Sequence, residues 1–503
     1  MKEHVFKNLR WLTAAALAVG ASGAPATPTT STDIAPPPAA IEWRPHVVES
    51  YDDQTLEAEL GTFEVPENRS DPAAEKITLH VVRLKSTAER PAAPIVYLSG
   101  GPGASGIAAS RWAFDTFKEL ARVADVVLLD QRGTGQSDRG LLCMNADAAL
   151  DPDLFNGDGQ LAAAVELAAT CRRDLQERSI DLAGYTTSES ADDLDDLRRA
   201  LGVPKISLLG FSYGTHLGLD AIRRHGSSLE RVVLIGTEGP DHTRKLPMTL
   251  DTHLRKLSIL AARRPEVAAE VPDMYALLLK VLATLEKEPL SVPLELPDGA
   301  ELTVPVNAEG LQTLLSFDLG DASDFPFFPA LLRTIDRGDP SLLAWFVRKR
   351  FGAMGALPAL YFAVDGASGI SPERRLRIER EAGISAMGDT ASGFFKVAEA
   401  LGVEDLGESF RRPIVSDVDT LFVSGSLDSN TPPYQAEEMR WGLPRSKHLV
   451  IENAGHEDMF GWDALTAVLV RYFGGEDVSQ EHLERPAPRF LTVAEAKAER
   501  LGE

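Results

Sequence analysis

Residues 206–220 read Ile206-Ser207-Leu208-Leu209-Gly210-Phe211-Ser212-Tyr213-Gly214-Thr215-His216-Leu217-Gly218-Leu219-Asp220. A mostly apolar run of strand type ends at Gly210, and a helix-like stretch follows to Arg224. The turn between them is Gly-x-Ser-x-Gly. When a strand passes into a helix this sharply, the serine takes a strained backbone and its hydroxyl stands clear of the sheet edge. Larger side chains two residues either side would collide with the strand and helix, which is why glycine stands there. Chance produces the string roughly once in six chains of this length. The reading therefore depends on whether an acid, a base and an oxyanion hole follow in a workable order.

They do. A hydroxyl nucleophile needs a base to take its proton and an acid to orient that base. Downstream, the strand-like run 420–423 leads into Ser424-Gly425-Ser426-Leu427-Asp428, and Pro432-Pro433 stops any continuation. The run 449–451 leads into Asn453-Ala454-Gly455-His456. Both candidates lie in loops just beyond strands, the edge at which open α/β sheets bind ligands. His216 lies on the elbow helix and is expected to pack; His448 opens a strand. Two backbone N–H groups are needed for the developing oxyanion. Tyr213, next to the nucleophile, supplies one, and Gly101, in the loop Ser99-Gly100-Gly101-Pro102-Gly103, supplies the other. The same loop fits a dinucleotide-binding G-x-G-x-x-G, but Pro102 removes a donor at its centre.

Around this site the pattern alternates strand and helix: runs 57–65, 77–84, 95–98, 126–129 and 231–235 read as strands, and 108–121, 161–177 and 190–201 as helices. The spacing predicts a doubly wound, mostly parallel sheet. From about 240 to 405 the pattern turns helical, apart from a small hairpin around Pro297-Asp298-Gly299, and strands return at 419–423 and 448–451. The expected architecture is an α/β fold of hydrolase type with an inserted, mainly helical cap domain. Its divisions are a core at 43–239 and 406–475, a cap at 240–405, and a charged tail at 476–503 that holds a helix near 493–501.

The N-terminus reads as a cleavable leader over 1–24. Lys2, Lys7 and Arg10 precede a short apolar stretch and the small residues Ala21-Ser22-Gly23-Ala24. A Pro/Thr/Ala-rich linker, 25–42, follows. Export to a periplasmic or extracellular space is expected, without stable membrane insertion once the leader is removed. Two cysteines, Cys143 and Cys171, in an exported chain suggest one disulfide. No Cys/His cluster has zinc spacing, so neither metal nor other cofactor is expected. A formal charge of −24 argues against nucleic-acid partners.

The motifs Gly100-Gly101-Pro102-Gly103-Ala104-Ser105-Gly106, Asp130-Gln131-Arg132-Gly133-Thr134-Gly135-Gln136-Ser137, Gly210 to Thr215, Gly425-x-x-Asp428-x-x-Thr431-Pro432 and Gly455-His456 resemble the prolyl aminopeptidase and tripeptidyl aminopeptidase family of α/β-hydrolase serine peptidases. Ser99 stands where the cytoplasmic prolyl enzymes usually carry histidine, which resembles the exported tripeptidyl branch. Ile384-Ser385-Ala386-Met387-Gly388-Asp389 lacks the cysteine that branch often has. The resemblance implies removal of residues from a free N-terminus, with Ser212 acylated, His456 as base and cap acids holding the α-ammonium. Glu238, where the cap begins, is the candidate anchor. Asp389 is a second contact, and Asp321 and Asp324 are weaker rivals. Arg132 reads as a structural clamp. The alternative is an esterase or amidase acting on small acyl substrates with the same triad.

Overall fold

The computed structural model describes residues 40–144, 158–295, 301–354 and 356–502. The expected leader and most of the expected linker lie outside the described residues. Strands in chain order are β1 (Arg44–Glu49), β2 (Thr55–Pro66), β3 (Lys76–Leu84), β4 (Ala92–Leu98), β5 (Ala124–Leu129), β6 (Leu142–Met144), β7 (Ile206–Phe211), β8 (Leu229–Ile235), β9 (Leu290–Glu295), β10 (Glu301–Val306), β11 (Ala356–Pro358), β12 (Asp419–Gly425), β13 (Ser446–Glu452) and β14 (Leu483–Glu484). Ten of them form one sheet in the order β1-β2-β3-β5-β4-β7-β8-β12-β13-β14. From β5 to β14 every pairing is parallel, while β1, β2 and β3 form an antiparallel flank.

Burial on both faces explains the continuous apolar runs of the central strands. Alternation with a period of two sends Val96, Leu98, Leu208, Val232 and Leu234 to one face and Ile95, Tyr97, Leu209, Val233 and Ile235 to the other. Helix α1 (Phe114–Leu120) covers the second face, and α2 (Asp158–Glu177), α3 (Thr187–Ala200) and α4 (Tyr213–His225) cover the first. The helix expected over 108–121 is interrupted: a 3-10 turn occupies 108–110 and α1 starts only at Phe114. The Ser110 hydroxyl bonds back to the Ile107 carbonyl, a local bond that competes with the helical ladder. Cys143 in β6 and Cys171 in α2 are joined, with Cα atoms 5.8 Å apart.

Between β8 and β12 lie α5 (Pro247–Ala261), α6 (Pro265–Glu270), α7 (Met274–Leu285), α8 (Ala308–Asp318), α9 (Phe328–Asp336), α10 (Ser341–Met354), α11 (Ala359–Ser368), α12 (Pro372–Ala382), α13 (Ser392–Leu401) and α14 (Glu408–Arg411). This insert has two parts. Residues of α5, α7, α8, α9 and α10 build a separate apolar cluster with β9 and β10. In contrast, Ala363 of α11 and Val397 and Leu401 of α13 join the cluster of the sheet's first face. After β12 come α15 (Pro433–Arg440), α16 (Asp463–Phe473), which covers the second face, and α17 (Val493–Leu501). The segment expected as a tail is built in. β14 extends the sheet beside β13, and Phe490, Leu491 and Ala496 complete the insert's own apolar cluster.

Candidate active site

Ser212 occupies the turn between β7 and α4 with φ 55°, ψ −124°. Left-handed backbone at a non-glycine residue is strained and persists only where the surroundings enforce it. Here the Ser212 N–H donates to the Ile235 carbonyl at 2.9 Å, and its own carbonyl accepts from the Thr215 N–H and hydroxyl at 2.8 and 2.6 Å. The flanking glycines are required. A Cβ at Gly214 would lie 2.0 Å from the Leu98 carbonyl oxygen, and one at Gly210 would lie 2.5 Å from the Gly214 carbonyl oxygen.

His456 Nε2 lies 2.9 Å from Ser212 Oγ, and His456 Nδ1 lies 2.9 Å from Asp428 Oδ2. Three residues from distant loops thus form one relay. The Asp428 carboxylate also accepts from the Thr431 hydroxyl at 2.6 Å and from the Asn430 and Thr431 N–H groups at 2.8 Å each. Burial pushes its pKa up, but the His456 charge and these hydrogen bonds outweigh that and hold it at about 2. Burial likewise works against the His456 imidazolium, yet Asp428 prevails and raises it above the ordinary histidine value. The Phe211 ring stacks on the imidazole at 5.2 Å, and Gly236 has no room for a Cβ, which would lie 3.0 Å from His456 Cε1.

The Gly100–Gly103 loop passes against the serine, and a Cβ on Gly100 would come within 2.9 Å of Ser212 Cβ. The Gly101 and Tyr213 N–H groups have no acceptor among the described residues. Asp130 does not face a ligand. Its carboxylate accepts from Ser105, Ile107 and Gln136, tying its own turn to the glycine loop. Arg132 is a buried clamp. It grips Asp193 through two 2.7 Å bonds and donates to the carbonyls of Glu67, Gly184 and Pro66.

Glu238 is buried one side chain from the nucleophile: its N–H donates to Thr215 Oγ1, the hydroxyl that bonds the Ser212 carbonyl. Its Oε1 has no hydrogen-bond partner and lies 3.9 Å from His216 Nδ1. Sequence reasoning missed its neighbours. Asp365 on α11 is buried, bonded to Arg244 at 2.7 Å through Oδ2, and leaves Oδ1 unpartnered. Burial first, and then the charge of Glu238, push the Asp365 carboxyl up. The Arg244 guanidinium also donates to Tyr361 Oη and lies 3.7 Å over the Phe394 ring.

Asp389 is not part of this group. Its carboxylate accepts from the Ala391 and Ser392 N–H groups and the Ser392 hydroxyl, so it serves the turn that starts α13. Asp321 binds Ser323, and Asp324 is paired with Lys349. Their loop nonetheless touches the triad loops. A Cβ on Gly455 would meet Ala322 Cβ at 2.9 Å, and Ser429 donates to the Leu319 carbonyl at 2.8 Å.

A family model described as alpha/beta hydrolase fold matches residues 93–298, and one described as TAP-like protein matches 402–477. The chain has the α/β-hydrolase fold. Among curated proteins the chain is 30% identical over 191 residues to the serine protease Hip1 of Mycobacterium tuberculosis, covering 36% of each chain. It is 31% identical over 205 residues to a tripeptidyl aminopeptidase of Streptomyces lividans, covering 37% of this chain and 34% of the relative. The matches therefore span about a third of the length of these relatives. A solved proline iminopeptidase of Mycobacterium smegmatis aligns over 82% of this chain and 97% of its own, at 16% identity and a TM-score of 0.41. Among the described residues, no helix is long and apolar enough to cross a membrane, and no group of three or more His, Cys, Asp or Glu could hold a metal ion.

Proposed function

We propose that the protein is a serine aminopeptidase that releases residues from a free peptide N-terminus through an acyl-enzyme on Ser212. The relay Asp428–His456–Ser212, with both links at 2.9 Å, carries the reading. His456 takes the Ser212 proton as the hydroxyl attacks the substrate carbonyl. Asp428 fixes the tautomer and stabilises the imidazolium. The Gly101 and Tyr213 N–H groups receive the oxyanion. His456 then gives its proton to the leaving amine and activates the water that frees the acyl group.

The α-ammonium would sit against Glu238, with Asp365 beside it. Both hold an unpartnered buried oxygen, and burial plus mutual repulsion already raise Asp365. An arriving ammonium would donate to Glu238 Oε1 and Asp365 Oδ1, the two buried oxygens without a partner. Export is supported by the leader-like pattern over 1–24, which places the substrates outside the cytoplasm.

An esterase or amidase reading has one observation in its favour: Arg244 already opposes Asp365 in the same group. Amides of proline, alanine and Ala-Ala-Pro with free and acetylated N-termini, tested beside short acyl esters, separate the two. Turnover of free-amine amides at least tenfold above their acetylated forms supports the aminopeptidase. Equal turnover, or turnover of esters alone, overturns it.

A further inference from the structure

Glu238 stands between two pinned peptide units. Its own N–H donates to Thr215 Oγ1 at 2.8 Å, and the N–H of the next residue, Gly239, donates to His242 Nδ1 at 3.0 Å. The first bond ties Glu238 to the nucleophile turn, because Thr215 Oγ1 also donates to the Ser212 carbonyl. The second ties it to a buried imidazole that packs directly on the peptide: a Cβ on Gly239 would lie 2.7 Å from His242 Nδ1. The Gly239 carbonyl is held too, 3.1 Å from His216 Nδ1. At the far end of the side chain, Glu238 Oε1 has no hydrogen-bond partner. The aim of this carboxylate is therefore set from its backbone.

The partners decide the tautomers. A backbone N–H can only donate, so His242 Nδ1 carries no proton and Nε2 carries one. Nε2 lies 2.8 Å from Glu438 Oε2 on α15, a carboxylate that accepts this bond. A carbonyl can only accept, so His216 holds its proton on Nδ1, the opposite arrangement. Burial lowers the His242 pKa below the ordinary histidine value, which favours the neutral ring that the bonding needs. Glu438–His242 thus repeats the form of Asp428–His456: a carboxylate on one ring nitrogen fixes what the other nitrogen can do. Here the other nitrogen serves the peptide that carries Glu238. Without it, the buried Gly239 N–H would lose its acceptor, at a cost that favours turning the peptide.

We propose that His242, oriented by Glu438, is a positioning residue that aims the Glu238 carboxylate at the α-ammonium of the substrate. The inference rests on the reading of Glu238 as the ammonium anchor. His242 acts through the Gly239 peptide rather than by touching the substrate. One carboxylate–histidine pair then serves the nucleophile, and a second serves the anchor.

The ratio of kcat/KM for alanine p-nitroanilide to that for its N-acetyl form reads how well the ammonium is held. H242A removes the acceptor and should lower this ratio about tenfold or more, with the loss in the KM of the free-amine substrate. H242N places an amide oxygen at the Nδ1 position and should recover most of the ratio. H242Q places its amide at the Nε2 position, keeps the contact to Glu438 and should behave like H242A. A general loss of structure would lower both substrates together and leave the ratio alone. If H242A fails to melt cooperatively, H242N and H242Q are compared by the same ratio. A ratio kept in H242A, or H242N and H242Q that behave alike, overturns the inference. E238Q separates the two claims. If E238Q keeps the wild-type ratio, the anchor reading falls and the role of His242 falls with it. If E238Q loses the ratio and H242A keeps it, the role of His242 alone falls.

Discussion

The sheet edge and the inserted segment build their functional groups in different ways. At the edge, each group is fixed by its own short stretch of chain: Ser212 by a turn between β7 and α4, Asp428 and His456 by loops after β12 and β13. In the insert and at its entrance, Arg244 and Asp365 come together because α11 packs back over residues 243–244. The edge supplies chemistry that many acyl substrates could use. On the proposed reading, the insert selects among them.

The sharpest way to break this division is to remove the nucleophile. Ser212→Ala should lower kcat by about ten-thousandfold or more and leave the melting temperature almost unchanged; retained turnover ends the edge assignment. Asp428→Asn should cost about a thousandfold or more, because His456 is then held in the wrong tautomer. Ester and amide substrates should suffer alike, since this change lies wholly on the edge side.

Glu238→Gln probes the other side. Losing a charge-assisted bond is worth about 1.5–3 kcal/mol, so free-amine substrates should slow roughly tenfold to a hundredfold in kcat/KM. Acetylated substrates should slow far less, and equal losses would remove Glu238 from ammonium binding.

The pH profile tests the edge again with a gentler effect. His456 must be neutral to accept the proton, and its pKa is raised by Asp428. The rate should therefore climb with pH through an inflection above the ordinary value of about 6.5. A flat profile from pH 6 to 9 would contradict this. The smallest effect on turnover belongs to the disulfide. Cys143→Ser with Cys171→Ser should lower stability by about 2–4 kcal/mol in chemical denaturation and change kcat less than threefold.

Legibility in the sequence follows the same division. The glycines around Ser212, the apolar runs of β4, β5, β7 and β8, and the loops carrying Asp428 and His456 are local signals with steric causes, so their neighbours in sequence reveal them. Glu238 was visible because it follows a strand at the ligand-binding edge. Asp365 was not, because it lies in the middle of an ordinary helical run and meets Arg244 across 121 residues of chain. Asp389 misled for the complementary reason: an acid near the start of a helix looks the same whether it binds a substrate or, as here, holds its own turn. Phe490 and Leu491 looked like part of a charged tail because apolar residues that dock on a distant cluster show no periodicity with it.

That docking bears on biosynthesis. Leu491 donates its N–H to the Pro326 carbonyl, Glu495 clasps Arg264 through both oxygens, and Phe490 and Ala496 fill the cluster made by α5 to α10. The middle of the chain thus leaves the ribosome well before its closing piece does. Until residues 490–501 emerge, its apolar surface stays open to chaperones and to other nascent chains. Fusions and truncations near this end should therefore affect the yield of folded protein before they affect the chemistry at Ser212.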